Sequence, residues 1–220
     1  MYKEAIKDAI SMHELPVYWS SELLNEAKQV TKKRKTAKYR KDFRKLPFAT
    51  IDGEDAKDFD DAVYCEKNSN GYKLYVAIAD VSFYVEPGSK LDKEAKKRGT
   101  SIYFPETVIP MLPENLSNGI CSLRPNEDRC SMICEMSIGL DGTRKKYKFY
   151  SGLINSKARL TYSQVEKQLQ TSANIKQAIV RESIKHLFDL TNLRLKLRNQ
   201  RRALEINPTE AILELNKIKK

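Results

Sequence analysis

The chain has 220 residues, 40% of them apolar, enough to bury a substantial core in one large domain or two small ones. Its formal charge of +11 points to a polyanionic partner, nucleic acid first, although a purely solubilising role also accounts for such an excess. No apolar run approaches the roughly 20 residues that span a bilayer, and the N-terminal MYKEAIKDAI lacks the apolar stretch of a secretory signal. The expected compartment is therefore the cytoplasm, with no membrane contact.

In chain order, residues 1–46 read as helical and polar. SSELLNEAKQV offers Ser20 or Ser21 as an N-cap with an acid in the first turn. The segment from Lys28 to Lys45 holds ten Lys and Arg against the single acid Asp42. It is either a solvated linker or an arm that contacts phosphates. From Leu46 the texture becomes β-rich, with NSNG (Asn68 to Gly71) as a hairpin turn. SKLDKEAKKRG predicts a short charged helix closed by Gly99. A Pro-rich but apolar segment follows, and then a second hairpin turning at Asp141-Gly142.

At Thr161 the period turns helical, with Thr161 and Gln164 at capping-box spacing. Ile175, Ile179, Leu187, Leu190 and Leu197 are expected near one stripe of the long basic helix that follows. Pro208 should end it, and TEAILELNKIKK should begin another element. The pattern of strands followed by helices makes the fold class α+β, a mixed sheet with flanking helices. Cys65, Cys121, Cys130 and Cys134 form no C-x-x-C pair, and His13 and His186 are the only histidines. Free, buried or half-buried thiols are expected rather than a zinc site.

One stretch runs against the basic composition. In TIDGEDAKDFDDAVY, six of the ten residues from Asp52 to Asp61 are acidic. If Asp58 to Asp61 is extended, Asp58 and Asp60 share a face, a bulge brings Asp61 round, and Asp52 reaches the same point by a loop. Converging carboxylates must take up protons or hold cations, and hard divalent ions, Mg²⁺ above all beside phosphate, suit oxygen donors. An EF-hand fails because its sixth position, counted from Asp52, is Lys57. A Walker loop fails for want of a glycine-rich G-K-[ST] run. A solvated acidic loop and a carboxylate cluster for two-metal phosphodiester hydrolysis both remain.

The same stretch resembles the catalytic signature of the ribonuclease II/ribonuclease R exoribonucleases (the RNB catalytic domain), most of all the ribonuclease R branch. The likeness continues through YVAIADVSFYVEPGSKLDKEA, GTSIYFPETVIPMLPENLSNGICSLRPNEDR and INSKARLTYSQV. It implies a 3′→5′ hydrolytic exoribonuclease that acts on the single-stranded 3′ end of RNA with Mg²⁺ and releases nucleoside 5′-monophosphates. It places the four catalytic, metal-binding aspartates on Asp52, Asp58, Asp60 and Asp61, and RNA-contacting tyrosines on Tyr103 and Tyr162. Residues 1–46 then correspond to a basic connector, and residues 47–220 to the N-terminal portion of the catalytic domain. The family's HxTSPIRRY run, with its assisting arginine and glutamate, is not in the sequence, and near ALEINPTEA, where some relatives carry an aromatic clamp, stands Ile206. The chain is thus expected to be a partial catalytic domain with reduced or no activity alone, and a C-terminal half is the expected complement. The rival is a non-catalytic RNA-binding remnant.

Overall fold

The computed structural model describes residues 2–32, 39–105, 107–171 and 175–204. Pro208, Ile206, the TEAILELNKIKK segment and positions 33–38 of the basic run lie outside these. Helix α1 spans Tyr2–Met12 and α2 spans Ser21–Lys32. The Leu23 amide donates to Ser20 Oγ at 3.2 Å, so Ser20 is the cap. Leu23 and Ala27 on α2 bury against Tyr84, Leu91 and Leu116.

The main sheet is built from β1 (Lys41–Asp42), β2 (Ala49–Asp52), β3 (Asp61–Asn68), β4 (Gly71–Ala79), β7 (Asp128–Gly139), β8 (Arg144–Asn155) and β9 (Ala158–Thr161). Its spatial order is β1-β8-β7-β4-β3-β2-β9. The outer pairs β1·β8 and β2·β9 are parallel, and the central pairs are antiparallel. Both hairpin turns fall where the sequence places them. Gly71 has φ +132°, and a Cβ there would collide with the Ile138 carbonyl oxygen of β7, so only glycine fits. In the second turn Gly142 takes φ +77°, and the Asp141 carboxylate accepts the Thr143 amide at 3.0 Å.

Alternation along the strands sorts the side chains onto two faces. One carries Phe48, Tyr64, Tyr75, Ala77 and Ile133, packed with Phe43, Leu123 and Ile154. The other is covered at its hairpin end by α5 (Ala178–Gln200), where Cys65, Tyr72, Ile138 and Leu190 meet. The cysteines are free thiols, three buried and Cys134 half-buried.

Helix α3 (Lys90–Arg98) is capped by Ser89 and closed by Gly99 at φ +75°. The Pro-rich stretch after it forms a separate hairpin, β5 (Ile102–Phe104) with β6 (Thr107–Ile109), and a wide helical turn over Asn115–Ile120. Helix α4 (Tyr162–Thr171) opens on the expected capping box: Gln164 N–H donates to Thr161 Oγ1 at 3.1 Å, and Thr161 N–H to Gln164 Oε1 at 3.0 Å.

The stripe on α5 differs from the sequence reading. Its buried positions are Val180, Ser183, Ile184 and Leu190, with Leu187 beside them, while Ile179 is 54% exposed. Ile175 precedes the helix and packs against Leu160 from outside it. Leu187 and Leu190 keep the expected side, and the stripe is turned toward Val180 and Ile184, which pack with Ala49, Ala158 and Leu160, while Ser183, one turn on from Ile179, accepts the Cys65 amide of β3 at 3.0 Å.

A buried ion pair fastens the N-terminal region to the sheet. Arg40 Nη2 lies 2.6 Å from Asp80 Oδ2, each side chain only 8% exposed. Arg40 also donates to the Gly152 carbonyl and stacks 4.2 Å above the Phe83 ring. Burial pushes the Asp80 carboxyl up, but hydrogen bonds from Arg40 and Ser82, with the Arg40 charge, hold it below the ordinary value. Its stabilising contribution is therefore present above the unfolded carboxylate range and is lost as pH falls below it.

Candidate active site

The acidic stretch lies at one end of the sheet, where the inner strand β2 ends and β3 begins. Strand β2 is sandwiched between β3, with Ala49 opposite Val63, and β9, with Asp52 opposite Thr161. Asp52 is thus the last residue of one strand and Asp61 the first of the next. Residues 53–60 between them are loop, so Asp58 and Asp60 do not share a strand face as the extended reading expects. The reason is in the backbone contacts. Phe59 is held on both sides, its amide by Ser122 Oγ at 3.0 Å and its carbonyl by the Leu123 amide at 2.8 Å. The Asp60 carbonyl accepts the Ala79 amide at 2.8 Å. These partners replace a ladder and pin the carboxylates on either side of Phe59.

Arg159 of β9 completes the clamp. Its Nη2 donates to the Gly53 and Glu54 carbonyls, both at 2.8 Å, and its guanidinium lies 5.6 Å from the Phe59 ring centroid. Sequence reading singles out neither Arg159 nor Ser122. Both lie inside the stretches that carry the family likeness, but only the parallel β2·β9 pairing and the fold of the Pro-rich segment bring them to the acidic loop.

The carboxylates feel one another. Burial pushes Asp52 above the ordinary carboxylate value, and the charges of Asp61 and Asp60 push the same way, against Arg159. Asp60 is raised first by the protein mass around it, although the residue itself reaches solvent, and then by Asp58 and Asp61. Asp52 Oδ2 is buried with no hydrogen-bond partner, as is Thr50 Oγ1 on the same strand face; the Thr50 hydroxyl gives Asp52 only the weakest relief.

A buried, unpartnered carboxylate oxygen among like charges requires a proton or a cation. The all-oxygen donor set fits a hard divalent ion such as Mg²⁺. Among the described residues, however, no group of three His, Cys, Asp or Glu already stands close enough to hold one. The four aspartates lie at one end of the sheet and are linked by charge, without being drawn into a closed cage. Glu54 and Asp55 are exposed in the loop.

Tyr162, 67% exposed, directly follows Thr161, the register partner of Asp52, and so borders the cluster. Tyr103, 69% exposed, stands on the β5–β6 hairpin, a sheet separate from the one that carries Asp52 and Asp61.

An acid whose folded pKa lies above its unfolded one weakens the fold once ionised, a cost absent in acid and growing as pH rises through the carboxylate range. Asp60→Asn should therefore raise the thermal midpoint at pH 7, with the gap to the parent chain closing as pH falls toward 4. Millimolar Mg²⁺ should raise the parent's midpoint more than the variant's. Melting curves across pH check both; an equal or lower variant midpoint at pH 7 would show that the fold already compensates the Asp60 charge.

Residues 40–220 match the RNB domain, and the chain belongs to that family. It is similar to ribonuclease R of Escherichia coli (strain K12), 46% identical over 215 residues, which are 94% of this chain and 26% of that protein. Ribonuclease R of Mycoplasmopsis pulmonis is 58% identical over 126 residues, 57% of this chain and 17% of that protein. Among solved structures, Mycoplasma genitalium RNase R in complex with ribose methylated single-stranded RNA superposes with a TM-score of 0.85 at 36% identity. That match covers 90% of this chain and 31% of that one. Yeast Ssd1, a pseudonuclease, shares the fold alone, at 17% identity and a TM-score of 0.63, over 84% of this chain and 21% of that one. The chain thus spans about a quarter of the length of the Escherichia coli relative. Among the described residues, no helix is long and apolar enough to cross a membrane.

Proposed function

We propose that this chain supplies the carboxylate cluster of a ribonuclease R-like 3′→5′ exoribonuclease, which hydrolyses RNA from a single-stranded 3′ end to nucleoside 5′-monophosphates in the cytoplasm. The observation that carries this reading is the orphaned buried oxygen on Asp52, beside a loop in which burial and the neighbouring aspartate charges push Asp52 and Asp60 above the ordinary carboxylate value. Asp52, Asp58, Asp60 and Asp61 would hold Mg²⁺, which when bound supplies Lewis acidity to the phosphodiester and to the attacking water.

The chain's own residues do the rest of what this segment contributes. Ser122, Leu123 and Ala79 hold the backbone from Phe59 to Asp60, so the carboxylates flanking Phe59 keep their orientation. Arg159 ties down the Gly53–Glu54 turn and moderates the negative field at Asp52. Tyr162 and Tyr103 present exposed rings on which terminal bases stack irrespective of sequence.

The rival reading, an RNA-binding remnant without catalysis, draws support from the +11 charge and from the occurrence of the fold in a pseudonuclease. The retention of all four aspartates favours the enzyme. The test combines this chain with the C-terminal part of a ribonuclease R relative and offers RNA with a free or a blocked 3′ end. Mg²⁺-dependent release of 5′-monophosphates from the free end only is expected. Internal cleavage, or binding without any release, would overturn the proposal.

A further inference from the structure

The RKKYKFY run of β8 and the arginines late in α5 belong to no part of the carboxylate site, yet the fold brings them to one face. Tyr147 and Phe149 project on the side of the sheet that α5 partly covers, opposite Met136 and Cys134 of β7. They are 57% and 61% exposed, and their rings meet edge to face with centroids 5.7 Å apart. Beside them a groove of ≈ 890 Å³ opens between the sheet and α5. Its floor is aliphatic, from Leu74, Met136 and Ile138, and its rim carries Arg144, Arg194, Arg198 and Arg201. No Asp or Glu lines it. Arg144 belongs to both features, since its guanidinium also lies 4.9 Å over the Tyr147 ring.

We infer that this face, from the Tyr147–Phe149 pair into the arginine-rimmed groove, binds single-stranded RNA upstream of the end that reaches the carboxylates. The inference rests on the proposed function for the identity of the ligand. Charge selects a polyanion, because four guanidiniums meet no lining carboxylate. The exposed aromatic pair selects a nucleic acid over an acidic peptide: it offers flat surfaces to bases, as sequence-tolerant single-strand binders do, while arginines follow the phosphates. The placement also suits a separate contact. Ile78 lies opposite Asp61, and Tyr72, farther along β4, lies opposite Ile138 of the groove floor. At about 3.4 Å per residue, that run puts the groove roughly 20 Å from Asp61.

The test is equilibrium binding of a fluorescein-labelled oligouridylate to the full chain in EDTA, where hydrolysis does not enter. Tyr147→Ser with Phe149→Ser should weaken affinity about tenfold, the scale of one lost stacking partner, and Tyr147→Phe should restore most of what Tyr147→Ser loses. Arg198→Gln with Arg201→Gln should flatten the slope of log affinity against log salt by about 1.4, at ~0.7 per single-strand phosphate contact. Ultraviolet crosslinking of 4-thiouridine RNA to the unsubstituted chain, read by mass spectrometry, should label the peptide containing Tyr147 and Phe149, and needs no variant to fold. Unchanged affinity and slope, a crosslink map without that peptide, or variants that alter only self-association in light scattering would each overturn the inference. Loss of Mg²⁺-dependent release with oligouridylate binding in EDTA intact would fault the carboxylate site, and loss of the groove contact in EDTA would fault the groove, so the two failures are distinguishable.

Discussion

Asp60→Asn should lower Mg²⁺-dependent monophosphate release by at least about 10²-fold when the chain acts together with a complementing C-terminal part, while RNA affinity in EDTA stays near that of the parent. The magnitude follows from what the substitution removes. An amide keeps the shape of the side chain but not its charge, and a single lost electrostatic contact to a transition state costs about 10²–10³-fold in rate. Asp60 is the carboxylate raised by both Asp58 and Asp61, so its neutralisation changes the charge at the middle of the cluster. Asp55→Asn is the matched control. Asp55 lies in the same loop but is exposed, and activity should be retained. Comparable losses in both variants would mean that the loop contributes only general negative charge, and the assignment of the four aspartates would fall.

The parts of this architecture that were legible in the sequence are those governed by local rules. Gly71, Gly99 and Gly142 all adopt positive φ where turn and helix-end chemistry call for it, and the reciprocal bonds of Thr161 and Gln164 are those their spacing implies. The features that escaped depend on partners distant in the chain. The β5–β6 hairpin is short, with Pro105 following β5 and Pro110 following β6, so no alternating run announces it. The phase of α5 follows from Val180 and Ile184 packing against Ala49, Ala158 and Leu160, partners that hydrophobic periodicity along the helix alone does not read. Arg40 sits within a run of cations that reads as a solvated linker or a phosphate-contacting arm, and only the fold reveals its pairing with Asp80.

The site divides in the same way. The type and number of carboxylates were visible, because clustered acids in a basic chain demand a cation or protons. Their arrangement was not, because the extended reading of Asp58 to Asp61 gives way to a loop held by Ser122 and Leu123, some sixty residues downstream.

Residues 1–220 on their own should degrade RNA poorly or not at all. Four aspartates can hold a cation, but charge developing on the phosphate also needs donors aimed at it, and losing one typically costs about 10²–10³-fold. Among the described residues, the guanidinium that acts on Asp52 is that of Arg159, and its Nη2 is committed to the Gly53 and Glu54 carbonyls. The resemblance places the assisting arginine and glutamate in a run that this sequence does not contain. Packing points the same way. Ile78 and Met132, opposite one another on the sheet face that bears Asp61, are 47% and 43% exposed, and Phe188 on α5 is 46% exposed. Exposed apolar surface beyond a few hundred Å² favours association, so the isolated chain should self-associate as its concentration rises, as light scattering would record. Adding the C-terminal part of a ribonuclease R relative should suppress that association and restore Mg²⁺-dependent monophosphate release together. Vigorous decay of RNA by residues 1–220 alone, abolished by Asp60→Asn, would refute this and show that the segment carries a sufficient active site.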